Sequence, residues 1–331
     1  MREPQFWWRG GGAAPTLLAP LAALYGAIAG ARLARAGRTV GIPVVCVGNL
    51  TVGGAGKTPT ALWIGRLLIE AGRRPFFLSR GYGGRLAGPV LVETRHHAAD
   101  VGDEPLLLAR VAPTVVARDR WSGAVTARDA GADVIVMDDG FQNPSLHKDF
   151  SLLVVDGRRG VGNGRMLPAG PLRAPLTNQI ARAHALLIVG AVSGAEAVVT
   201  EARAQGLPIF HGRLEAEPKA LDRLRGHKVF AFAGIADPEK FFATLQEARI
   251  DVRLRCAFPD HHPYRGAEIL ALLARATADG LVLATTEKDF VRLAGVPDAA
   301  PLLERLCVVP VTLSVTPMQE LQSMLLSAVA G

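Results

Sequence analysis

From Ile42 onward, short β-branched apolar runs alternate with stretches of helical periodicity. "IPVVCVGN" (42–49), "PFFLS" (75–79), "TVVA" (114–117), "DVIVMDD" (133–139), "FSLLVVD" (150–156) and "ALLIVG" (185–190) read as strands. Residues 57–71, 103–112 and 120–130 read as helices between them. These strands are apolar along their whole length rather than at every second position. They are therefore buried on both faces, as in a parallel sheet covered by helices on each side.

After "PIFHGRLEAEP" (208–218) a second alternation begins. It comprises "KVFAFAGI" (228–235), a helix capped by Asp237 with Pro238 as its first residue, "RIDVRLRC" (249–256), a helix from about 266, "LVLATTEKD" (281–289) and "CVVPV" (307–311). The pattern predicts an α/β chain in three parts. Residues 1–38 form an apolar helical segment, 39–215 a P-loop NTPase-like α/β/α domain, and 216–331 a smaller α/β/α domain that closes a cleft.

The N-terminal part has no charge between Arg9 and Arg32. Leu17, Leu21, Leu24 and Ile28 recur at helical spacing, and Arg32, Arg35 and Arg38 follow. Pro15, Pro20 and three leading glycines leave ~16 helical residues, about 24 Å, short of a ~30 Å hydrocarbon core. Such a segment suits a membrane surface better than a span. A core-packing helix and a cleaved leader are the alternatives.

Composition adds two constraints. The net charge of +7, carried mostly by Arg, favours anionic partners, while the Lys-rich tails and interleaved aromatics of an RNA binder are missing. Cys46, Cys256 and Cys307 lie far apart without metal-ligand spacing, so neither a zinc site nor a disulfide framework is expected.

The chemistry concentrates in a few loops. "VGNLTVGGAGKTP" (47–59) sits between a strand and a helix, the setting of a phosphate-binding loop. Thr51, Gly53, Gly54, Ala55 and Gly56 would bring backbone N–H groups onto phosphate oxygens, Lys57 would reach the terminal phosphates, and Thr58 would ligate Mg²⁺. Thr51 stands where the strict G-x-x-x-x-G-K-[ST] pattern has its first Gly. "GGxGKT" is also the ending of a deviant-loop ATPase, but that class carries a signature Lys where this chain has Val52. Asp138 and Asp139 end a hydrophobic strand, as in a Walker B segment. Asp138 would hold the metal and Asp139 would support it or touch the nucleotide, the alternative being a turn cap. A G-protein is disfavoured, since Phe141 occupies the Gly position of D-x-x-G and "TEKD" (286–289) is only loosely like a guanine-reading motif.

In "LSRGYGGR" (78–85), Arg80 and Tyr82 on glycine hinges would grip an anionic or sugar substrate, or form a solvated loop. In "VGDEP" (101–105), Asp103 sits at a helix N-terminus, where capping is the plain alternative. In "FPDHHPY" (258–264), pairing of one His with a carboxylate is more economical than a zinc site.

In this order, "VGNLTVGGAGKTP", "SRGYGG", "VGDEP", "DDGFQ", "LPAGPLR", "FPDHHPY" and "TEKD" resemble the tetraacyldisaccharide 4′-kinase family, over residues 40–290 and the apolar helix. The resemblance implies ATP- and Mg²⁺-dependent phosphorylation of the 4′-hydroxyl of a tetraacylated glucosamine disaccharide 1-phosphate, giving lipid IVA. It implies a monomer, peripheral or shallowly inserted at the cytoplasmic face of the bacterial inner membrane, with its active site between two α/β/α domains. It makes Asp103 the catalytic base, assisted by His261. Arg80, Arg120 and Arg173 are then candidates for the substrate's 1-phosphate or for headgroups. Asn143 departs from the family, which shows His after "DDGFQ". Two other readings remain at this point: a membrane-associated ATPase switch, and a P-loop kinase of a small soluble metabolite.

Overall fold

The structure, a computed structural model, describes residues 3–8 and 12–330. Arg9, Gly10 and Gly11, at the head of the apolar segment, lie outside the described residues. In chain order the first sheet takes β1 (Val44–Gly48), β2 (Pro75–Ser79), β3 (Val90–Leu91), β4 (Thr114–Val116), β5 (Val134–Asp138), β6 (Phe150–Asp156), β7 (Ala185–Val189) and β8 (Ile209–Ala216). The chain then builds a smaller sheet from β9 (Lys228–Ala233), β10 (Asp251–Ala257), β11 (Val282–Thr286) and β12 (Leu306–Val309), and returns as β13 (Val311–Thr316).

The first sheet runs β13-β8-β7-β6-β1-β5-β2-β4-β3, and the second β10-β9-β11-β12. Pairing is parallel except for β13 on β8 and β3 on β4. Central β1 pairs with β5 so that Val47 lies opposite Asp138, which brings the loop after β1 and the end of β5 to one edge. Ligands of open α/β sheets bind at such carboxyl ends.

Side chains of β1 alternate between two cores. Val45 and Val47 pack with Ile64, Leu68 and Phe77, while Cys46 packs with Ile135, Met137 and Leu153. The helix Lys57–Glu70 lies close on the sheet at Gly65, where a Cβ would fall 2.4 Å from Phe77 Cζ.

Three expectations are corrected. The division at 216–331 assigns the C-terminus to the second domain, but β13 pairs with β8, and Leu321 and Leu325 of the helix Met318–Ala328 join the core of Ile64 and Phe77. The apolar face Leu313 and Val315 has partners only there. The second unit thus hangs on two neighbouring segments, with Glu217 N–H donating to Pro310 O at 2.9 Å. Next, the strand expected over 281–289 stops at Thr286, whose hydroxyl accepts from Asp289 N–H and caps the helix Glu287–Leu293. Finally, Asp237 precedes the helix Pro238–Glu247 but makes no cap bond; its carboxylate pairs with Arg158 and Arg159 instead.

The N-terminal segment forms helices Ala13–Leu17 and Ala19–Leu33. Its inner face carries Ala22, Gly26, Gly30 and Leu33, and Gly26 admits Met166, whose Sδ would lie 2.1 Å from an added Cβ. Its outer face leaves Leu17, Leu21, Leu24 and Ile28 exposed at 78%, 57%, 61% and 55%. Among the described residues no helix is long and apolar enough to cross a membrane.

Candidate active site

The loop from Asn49 to Gly56 turns through Gly53 and Gly56 at φ +108° and +91°, a region open to glycine without strain. Thr51 is tolerated because the chain is extended there: it bridges to Leu172, and Val52 N–H donates to Pro171 O at 2.9 Å. The "LPAGPLR" loop therefore braces the phosphate loop. Lys57 Nζ donates back to Gly53 O at 3.3 Å, so its ammonium lies over the turn. Buried Ala55 and the adjoining Gly54 complete the turn, with Gly54 against Ala236 of the second unit.

Asp138, at the end of β5, is 2% exposed. Its Oδ2 lies 3.5 Å from Thr58 Oγ1, and its Oδ1 has no partner. Burial, then the neighbouring charge of Glu104, pushes its pKa well above the carboxylate range. A buried acceptor left open beside a hydroxyl is the oxygen-rich setting that a hard divalent cation takes, so these two residues fit Mg²⁺. Asp139 is differently engaged. Arg173 donates to its two oxygens at 2.6 and 3.1 Å, and Lys57 Nζ lies 3.8 Å away. Burial opposes its ionisation, but Lys57 and Arg173 outweigh burial and hold it below the usual range.

On the same side of the cleft, Asp103 opens the helix Asp103–Leu108 and is 3% exposed. Gly102, not Asp103, occupies the cap position. Asp103 Oδ2 meets His261 Nδ1 at 3.0 Å and Arg292 Nε at 3.1 Å, both from the second unit. Glu104 Oε1 meets Lys288 Nζ at 2.7 Å. Burial alone would raise the Asp103 pKa; the His261 hydrogen bond and the charges of Lys288 and Arg292 outweigh it and hold it at about 2. The same hydrogen bond pushes His261 upward. Asp139 and His261 both adopt positive φ, +53° and +54°, a strain that clusters at working sites. A cavity of about 1640 Å³ between the units is lined by the phosphate loop, Asp138, Tyr82, Glu104, His261 and Lys288.

A phosphate loop and a carboxylate-bound imidazole at one cavity suit a phosphotransferase, and one comparison decides which. The family profile described as Tetraacyldisaccharide-1-P 4'-kinase matches residues 14–330. The chain belongs to this family. It is 55% identical over 315 residues to the Tetraacyldisaccharide 4'-kinase of Rhodopseudomonas palustris strain BisA53, covering 95% of this chain and 92% of that one. Identity to the enzyme of the same name from strain BisB5 is 52% over 330 residues, covering 99% and 97%. The crystal structure of the "apo" form LpxK from Aquifex aeolicus in complex with ATP superposes with a TM-score of 0.75 at 27% identity, covering 96% of this chain and 100% of that one.

This kinase brings most of the sequence-derived residues to one cavity and distributes them unevenly. Tyr82 lies against His261, with ring centroids 5.2 Å apart. The adjacent histidines divide, His262 pairing with Glu268 at 3.0 Å. Arg80 is exposed at the cavity, whereas Arg120 is 3% exposed, donates to Ala117 O at 2.5 Å and leaves its Nε without a partner. Burial, then the charge of Arg80, lowers the Arg120 pKa to about 10. Arg173, expected at the substrate, is taken up by Asp139. Sequence reasoning missed Glu104, Lys288 and Arg292. The available signal was Lys288 inside "TEKD" and Arg292 one helical turn after it. A second bridge between the units, Lys240 Nζ to Asp156 Oδ2 at 2.5 Å, carried no signal at all.

Proposed function

We infer that the cleft moves the γ-phosphoryl group of ATP onto the 4′-hydroxyl of tetraacyldisaccharide 1-phosphate, giving lipid IVA. The 4′ oxygen forms a bond to the γ-phosphorus, the bond from that phosphorus to the bridging oxygen breaks, and ADP leaves. The hydroxyl proton passes to Asp103. The observation that carries this reading is the contact between Asp103 and His261, the imidazole of which lines the same cavity as the phosphate loop.

Phosphoryl transfer through a loose transition state asks a protein for alignment and charge compensation more than for covalent chemistry. The turn from Thr51 through Gly53, Gly54, Ala55 and Gly56 cradles the phosphates, and Lys57 offsets charge at the terminal ones. Thr58 and Asp138 would hold Mg²⁺, which neutralises phosphate charge when bound, while Asp139 fixes Lys57 and Arg173 beside it. A sugar hydroxyl is a far weaker acid than Asp103, so Asp103 orients it and takes its proton late; a neutral His261 leaves Asp103 the better acceptor. Arg80, Tyr82 and Arg120 line the acceptor side, where unpaired cations suit a phosphate. Closure of the second unit excludes the water that would otherwise hydrolyse ATP.

The enzyme works at the cytoplasmic face of the bacterial inner membrane. A four-chain lipid resists leaving a bilayer at roughly 0.8 kcal/mol per CH₂. The exposed row Leu17, Leu21, Leu24 and Ile28, followed by exposed Arg32 and Arg35, would seat the cavity mouth on the bilayer. Transfer of labelled γ-phosphate to detergent-dispersed tetraacyldisaccharide 1-phosphate tests the reading. Label released only as inorganic phosphate would refute it.

A further inference from the structure

Arg292 belongs to none of the sequence motifs, yet it reaches across the cleft. It lies on the helix Glu287–Leu293 with its side chain 6% exposed, and its Nε stands 3.1 Å from Asp103 Oδ2. Its Nε–H donates to Lys288 O at 3.1 Å and its Nη1 to Gly234 O at 2.8 Å, so it meets Asp103 as an ion pair; Nη2 lies 3.4 Å from Asp289 Oδ1 without a hydrogen-bond partner. Asp289 is fully buried and also receives Gly234 N–H at 2.9 Å and the Tyr264 hydroxyl at 2.7 Å. Tyr264 stands three residues beyond His261. One buried carboxylate therefore anchors both the guanidinium and the loop that carry the two partners of Asp103.

We propose that Arg292 is a positioning residue of the transfer reaction, which clamps the Asp103 carboxylate from the opposite wall and balances the charge around His261. The proposal rests on the reading of Asp103 as proton acceptor. A buried ion pair is costly to assemble and contributes little to stability, but a guanidinium tied to the Lys288 and Gly234 carbonyls sets a fixed charge beside the carboxylate. The groups acting on His261 are Asp103 from one helix, Asp260 from its own loop, Tyr82 from the opposite loop and Lys288 from the other helix, while Glu104 pairs with Lys288 and Arg292 with Asp103. Asp103 and Glu104 are offset by Arg292 and Lys288. Removing the Arg292 charge leaves excess negative charge beside the imidazole, which then keeps its proton to higher pH.

The test is the pH profile of kcat/KM for the acceptor, with ATP and Mg²⁺ saturating, in the full chain. Arg292→Gln should lower kcat about 10- to 100-fold with KM for ATP nearly unchanged, and should move the acid limb up by about one pH unit. Arg292→Lys should keep the acid limb in place and lose about tenfold in kcat, because an ammonium cannot hold the Lys288 and Gly234 carbonyls while staying beside Asp103. An acid limb that stays put in Arg292→Gln, or moves equally in Arg292→Lys, overturns the proposal. So does a loss that appears mainly in KM for ATP. If Arg292→Gln does not fold, Arg292→Lys decides alone: a lowered kcat with an unmoved limb supports the proposal, and a wild-type kcat or a moved limb overturns it. Asp103→Asn is run in parallel. Wild-type turnover there would sink the underlying reading of Asp103 rather than the placement of Arg292.

Discussion

Asp103 Oδ2 and His261 Nδ1 meet at 3.0 Å although 158 residues separate them along the chain. One sits on the first sheet's side of the cleft and the other on a loop of the second unit, so the pair exists only while the two walls are together. Asp103→Asn should therefore cut turnover about 10²- to 10⁴-fold while ATP affinity stays within a few-fold of wild type. His261→Gln should cost less, since it removes the partner and not the acceptor. Steady-state transfer assays beside nucleotide titrations separate the two effects, and a fully active Asp103→Asn would contradict the assignment.

Asp138 presents a buried oxygen without a partner, whereas both oxygens of Asp139 are engaged by Arg173. Asp138→Asn should raise the Mg²⁺ concentration for half-maximal activity by about 10-fold or more. Asp139→Asn should instead act through Lys57 and Arg173, weakening nucleotide affinity with a smaller change in Mg²⁺ demand. Equal Mg²⁺ titrations for Asp138→Asn and wild type would remove Asp138 from the metal site.

The cleft pairing has a pH window that follows from its two shifts. The folded Asp103 pKa of about 2 lies below the ordinary 3.8, so its contribution is present above about pH 4 and fades as pH falls toward 2. His261 is shifted the other way, so its contribution is complete below 6.5 and fades as pH rises through its folded pKa. Pairing is strongest between about pH 4 and 6.5. The stability difference between wild type and Asp103→Asn should reach about 2 kcal/mol in that window and shrink toward pH 2. Denaturant titrations at pH 3 and pH 5.5 measure it, and a difference independent of pH would be wrong for this account.

Leu21 and Leu24 are 57% and 61% exposed, so replacing both with Glu should leave thermal stability unchanged in solution. At roughly 1.5–3 kcal/mol per apolar side chain transferred, the double change should reduce partition onto anionic vesicles by about 100-fold. Equal vesicle sedimentation of the two proteins would dispose of the anchoring role.

Gly65 meets the aromatic edge of Phe77, so Gly65→Ala should destabilise the first domain by about 1–3 kcal/mol. A melting temperature equal to that of wild type would mean that the helix Lys57–Glu70 can shift outward without loss.

What the sequence settled by itself is what neighbours along the chain decide. Uninterrupted apolar runs such as 134–137 and 152–155 declare strands buried on both faces, because each residue's burial follows from the pleat of its own segment. The row Leu17, Leu21, Leu24, Ile28 declares a helix face for the same reason, and glycines 53, 54 and 56 before Lys57 declare a turn that accepts phosphate. The tertiary structure alone decided what meets across the chain. Asp237 looks like a cap until Arg158 and Arg159, nearly eighty residues earlier, claim its carboxylate. Residues 311–328 look like the end of the second unit until β8 offers them an open strand edge. Glu104 and Lys288 carry no mark of partnership, being 184 residues apart. Local periodicity is written in dihedral preferences and side-chain spacing. Which distant charges become partners depends on strand order and on where the chain crosses between the units, and no short stretch of sequence contains that.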